Sequence, residues 1–109
     1  MKIHESIDYI REHAEHLGGK KKLVTLLTEF RKSKKAILMR NALKSGFEAA
    51  NAQEREAYSD PEYILLINEL ADAVGEYETE KWNMLAEEMA IEVWRSEEAT
   101  NRMVDRAHA

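Results

Sequence analysis

Apolar residues return every three or four positions along this chain, the spacing of one helical face, and the strict alternation of a half-buried strand is missing. Ile3, Ile7, Ile10, Ala14 and Leu17 open the pattern. Gly18-Gly19 is expected to end this short N-terminal helix, because glycine after a periodic run is a common stop. A bend inside one longer helix is the alternative. A second helix is expected from about Lys20 to Lys44, burying Leu23, Leu26, Leu27, Phe30, Ile37, Leu38 and Asn41. Ser45-Gly46 interrupts it, and Phe47 to Tyr58 resumes as a shorter, alanine-rich helix.

Ser59-Asp60-Pro61-Glu62 is the clearest boundary. Asp60 suits the N-cap, proline the first helical position, and Glu62 the positive helix end. Tyr63, Ile67, Leu70, Val74 and Tyr77 then run at heptad spacing. Leu85, Met89 and Val93, flanked by Trp82, are expected to carry the stripe onward. Gly75 costs about 1 kcal/mol relative to alanine, too little to stop so long a pattern. A helix from Pro61 to Val104 would span about 66 Å, whereas a compact chain of this length has a radius of gyration near about 13 Å. Its distal apolar residues, Ile91, Trp94 and Met103 among them, would need a second subunit to cover them. The expectation is an all-α single domain over residues 1–109: a long antiparallel helical hairpin with a short N-terminal helix, assembled into an oligomeric bundle.

Composition narrows the chemistry. The 109 residues include no cysteine, which removes thiolate metal sites, thiol nucleophiles and disulfides and fits an intracellular protein. One proline and four glycines favour helix throughout. No apolar run is long enough to span a bilayer, and no leader pattern opens the chain, so a soluble, unprocessed protein is expected, with no membrane partner.

Charge is segregated. Between Lys20 and Lys44 lie nine basic residues and one acid, Glu29, while Glu48 to Glu98 holds fifteen acids and three bases. Lys20, Lys21, Arg31, Lys32 and Lys35 fall within about 120° of one another, a basic ridge beside the apolar stripe. Such a ridge can neutralise phosphates, or pair with the acidic helix in the same chain or across a dimer. A net charge of −5 and the lack of interleaved aromatic residues weigh against a dedicated DNA binder.

The carboxylates Glu69 and Asp72, and Glu87, Glu88 and Glu92, have the spacing to share a cation. All-helical nucleotide pyrophosphatases hold magnesium with Glu-Glu-x-x-Glu followed by Glu-x-x-Asp. Here the order is reversed and Ile91 stands where the third glutamate belongs, so these read as a solvated acidic face. His13 and His16 fall short of a closed metal site. No cofactor, catalytic set or metal is assigned. Arg95, Arg102 and Arg106 share one helical sector beside Trp94, and Ile91, Trp94, Arg95 and Arg102 are the expected interface residues.

Three stretches together resemble a family of small helical proteins encoded in temperate phages and prophages, often among early or recombination genes. They are Arg31-Lys-Ser-Lys-Lys-Ala36, Ala52-Gln-Glu-Arg-Glu-Ala-Tyr58 leading into Pro61-Glu-Tyr63, and Ile91-Glu-Val-Trp-Arg-Ser96 with Ala99 and Arg102. With the matching helix pattern they cover most of the chain beyond Gly19. The resemblance implies a phage origin, the host cytoplasm and a link to DNA metabolism, and it marks no site residues. The resulting expectation is a non-enzymatic accessory protein, an oligomeric helical adaptor docking on a protein or on DNA in recombination or replication. Two alternatives are an inhibitor of a host nuclease or defence enzyme acting through the acidic surface, and a metal-dependent nucleotide pyrophosphatase.

Overall fold

The computed structural model describes residues 3–108, and among them the chain is helical apart from one connector and one capping residue. Three helices follow in order, α1 Ile3–Lys44, α2 Ala50–Ser59 and α3 Pro61–His108, with no strand among the described residues. The all-α hairpin of two long helices is thus as expected.

Gly18-Gly19 does not end a helix. Both residues lie inside α1, so there is no separate short N-terminal helix. A glycine stop requires the left-handed conformation just past the last turn. Only Gly46 has a positive φ, 104°, among the described residues. Two right-handed glycines cost about 1 kcal/mol each against alanine, and good helix formers on either side carry the helix through.

The stop occurs at Ser45-Gly46. Phe47 N–H donates to Ala42 O at 3.0 Å and Gly46 N–H to Leu43 O at 3.1 Å. This reciprocal pair satisfies two of the last carbonyls of α1, and the glycine supplies the left-handed residue it needs. Phe47 to Ala49 form the connector instead of the first turn of α2. The Gln53 amide holds them by donating to Phe47 O at 3.0 Å and Glu48 O at 3.1 Å. Asp60 ends α2 and begins α3: Glu62 N–H donates to its Oδ1 at 2.8 Å. Beyond Val104 α3 continues to His108.

The chain divides into two compact units, one made by residues up to Gly18 and from Glu78 onward, the other by Gly19–Tyr77. In the second unit Leu38, Ala57 and Tyr63 form a core cluster with Met39 and Ile67 against it. Ala57 is 0% exposed, so α2 packs tightly at this corner. Ala42 and Ala73 are buried as well. In the first unit the buried residues are Met84, Ser6 and Glu80. Ile3, Ile7, Ile10 and Leu17 are half-buried there, whereas Ala14 is exposed.

Burial departs from the sequence reading in a consistent way. Leu23, Leu26, Phe30 and Ile37 are exposed, and Ala42 is buried in place of Asn41. The cause is a change of side. With 100° per residue, the buried Leu38 and Ala42 lie about 110° round α1 from the centre of the stripe that runs from Leu23 to Ile37. In α3 the inner face runs through Tyr63, Leu70, Ala73, Tyr77, Glu80, Met84, Ile91 and Trp94, a heptad series with half-buried or buried members throughout. Val74 therefore turns outward, and so do Trp82, Met89 and Val93, at 66%, 68% and 56% exposure.

Candidate functional site

The basic ridge sits on the side of α1 that packs within the second unit. Lys20, Arg31 and Lys35 are half-buried, and Lys21 and Lys32 are exposed. Lys35 donates to Glu54 at 3.4 Å, and its ammonium lies 4.9 Å from the Tyr58 ring centre. Hydrogen bonding to Tyr58, and after it the pull of Glu54, holds the Lys35 ammonium above its ordinary pKa against the opposing effect of burial. Lys21 lies over the Tyr77 ring at 5.1 Å, a cation–π arrangement. Lys32 bonds its own neighbour Glu29 at 3.2 Å. The ridge thus spends several of its charges inside the chain.

The open feature of this unit lies beside the ridge. Leu27, Phe30, Ser33 and Ile37 of α1 and Leu65 and Leu66 of α3 line a groove of about 530 Å³. Lys34 of α1 donates to Glu62 of α3 on its rim, and Glu69 follows about two turns along. Phe30 is 53% exposed and Leu65 59%, and Leu23 and Leu26 extend the apolar surface along α1. Contiguous apolar surface of this kind marks interaction sites in soluble proteins. Pattern reading assigned Leu23, Leu26, Leu27, Phe30 and Ile37 to the core. The signal it lacked was a partner face within the chain, since small and charged residues occupy the inner side.

In the first unit the expected interface residues share one sector of α3 but differ in exposure. Ile91 and Trp94 are half-buried on the inner face of α3, in phase with Met84, whereas Arg95 and Arg102 are exposed. Arg95 bonds Glu92 at 3.0 Å, a pair one turn apart on the same helix. A smaller depression of about 340 Å³ is lined by Leu85, Glu88, Met89, Ile91 and Glu92. Trp82, Met89 and Val93 form an exposed apolar stripe; sequence reading placed Met89 and Val93 on the buried stripe and Trp82 at its flank.

The histidines and carboxylates stay apart from any ligand set. The His13 ring stacks on Tyr9 with centroids 3.9 Å apart, and its Nδ1 is 2.8 Å from Tyr9 O. Among the described residues no group of three or more His, Asp or Glu is arranged to hold a metal ion. No helix among them is long and apolar enough to cross a membrane. Comparison with protein-family models, with curated proteins and with solved structures finds no match.

Proposed function

We propose that the protein is a non-enzymatic, self-associating helical adaptor that docks on a protein or on DNA, in the setting of phage recombination or replication implied by the resemblance, within the host cytoplasm. The observation that carries this reading is the placement of its large side chains. Phe30, Leu65, Trp82, Met89 and Val93 face outward while alanines fill half of the buried apolar positions. A chain that builds its inside from Ala42, Ala57 and Ala73 and its outside from Phe, Leu, Met and Trp is arranged for association.

Protein docking is favoured over DNA contact. Lys21 and Lys35 lie over tyrosine rings and Lys32 and Lys35 bond glutamates, which leaves the ridge less charge to offer phosphates. Two experiments test the reading. Tagged protein recovered from phage-infected cells should bring down a recombination or replication protein; recovery of a host nuclease instead would favour the inhibitor alternative. A gel shift with single- and double-stranded DNA at low salt separates the docking targets. Binding that weakens steeply with added salt would establish phosphate contact through the ridge.

A further inference from the structure

The groove and the helix beside it have complementary surfaces. Leu23, Leu26, Phe30, Ser33 and Ile37 follow one another at spacings of 3, 4, 3 and 4, the seam of a two-stranded coiled coil, and lie within about 80° of one another. Past this seam, on the edge of α1 away from α3, come Lys22 and Arg40, both exposed, and exposed Lys44 follows at the end of the seam itself. Glu29, the one acid on that edge, is held by Lys32. Across the groove the wall given by α3 is acidic: Glu62, Glu69, Asp72 and Glu76 are exposed on one side, with Leu65 among them.

We propose that a second copy of this chain occupies the groove, with the two α1 helices parallel and in contact along the Leu23–Leu26–Phe30–Ser33–Ile37 seam. This deepens the adaptor reading and rests on its self-association clause. The chemistry that fits the groove is an apolar stripe with a basic edge, and α1 itself has that composition. Charge also selects the direction. About a two-fold axis along the helices, the basic edge of each α1 turns toward the acidic α3 wall of the other copy. About an axis across the helices, the two acidic walls face each other, and like charges so placed disfavour that pairing. A copy of α3 seated in the same groove would set acid against acid. The two-fold arrangement makes both favourable contacts twice, as an isologous interface does.

The chain has no cysteine, so a single introduced thiol reports only contact between copies. We would oxidise Leu26→Cys, Ser33→Cys and Ile37→Cys separately, with Ser96→Cys on the outer side of α3 as the comparison. In a parallel seam each position meets its own copy, within reach of a disulfide. All three should give a covalent dimer, and Ser96→Cys should not. Circular dichroism on each variant, and light scattering on the unmodified chain, verify the fold and the dimer mass. Phe30→Glu should weaken the dimer by about 30-fold or more, as loss of a central aromatic anchor does. Cross-linking at only one seam position would mean antiparallel helices and overturn the proposal. A dimer that cross-links only at Ser96→Cys would overturn it too, while leaving the adaptor reading in place. A monomeric wild type would remove both the seam and the self-association clause, and docking would then rest on the capture experiment alone.

Discussion

The corner where α2 meets the two long helices and the open groove a few turns away belong to the same unit and are built on opposite plans. At the corner, Leu38, Ala57 and Tyr63 are closed off, Tyr58 and Tyr63 hold their rings 5.5 Å apart, and the Lys35–Glu54 pair lies at the edge. At the groove, Phe30, Ile37 and Leu65 have comparable apolar bulk and no covering element. Hydrophobic stabilisation follows the area removed from water and not the identity of the residue, so these side chains contribute to this chain's own fold only what they bury. The corner therefore holds this unit, and the groove is where the proposed association would remove apolar area from water.

The largest effect should come from emptying the corner. Tyr63→Ala removes a buried aromatic ring and should cost about 3–5 kcal/mol of unfolding free energy, and Leu38→Ala about 2–5 kcal/mol. The same truncation at Leu65, 59% exposed, should cost a small fraction of that in the isolated chain. Urea denaturation at low protein concentration measures all three, and similar losses at Leu65 and Leu38 would erase the distinction drawn here.

Helix ends come next. Gly46 has φ 104°, so Gly46→Ala should destabilise by about 1–2 kcal/mol although nothing lies within 4 Å of the added methyl. Removing the Asp60 cap with Asp60→Ala should cost about 1 kcal/mol. Gly18 and Gly19 are right-handed and equally open, so Gly18→Ala and Gly19→Ala should each stabilise by up to about 1 kcal/mol. Thermal melts of the three glycine variants should therefore move in opposite directions, Gly46 down and the other two up. A fall for Gly18→Ala would mean that the chain needs to bend there.

These positions also show how much was legible in the sequence. Helical periodicity, the Ser45-Gly46 stop and the Asp60-Pro61 start were readable, because each depends on the chemistry of a few neighbouring residues. The fate of Gly18-Gly19 was not, since a glycine stops a helix only if it turns left-handed, and the residues on both sides decide that. Burial was the least readable. Hydrophobicity chose Leu23, Phe30 and Met89 for the interior, whereas the inner faces use Ala42, Ala73 and Glu80. Heptad register through Tyr77, Met84 and Ile91 carried the correct face, hidden by the glutamates at its alternate positions. The groove as a candidate site needed the fold, because it joins residues about thirty positions apart in sequence.

The smallest effect concerns pH. The Lys35 pKa is raised in the folded chain, with hydrogen bonding to Tyr58 the largest cause, so its contribution is fully present below the ordinary lysine pKa of 10.5. It is lost as pH rises through the higher folded value. The side chain is about one third exposed, which keeps the contribution small. Stability should be flat with respect to this group from neutral pH to about pH 10 and decline only above it, and Lys35→Met should remove that alkaline component.

The central claim, that the fold is held at the corner and the copies are joined at the groove, is tested most directly by the concentration dependence of thermal unfolding. Folding coupled to association raises the melting temperature with protein concentration. Followed by circular dichroism over a hundredfold range of concentration, the wild-type chain should melt progressively higher. Phe30→Glu should keep its helicity at low temperature and lose that dependence. A wild-type melting temperature that stays constant over the whole range, or a Phe30→Glu chain that still tracks concentration as the wild type does, would contradict the account.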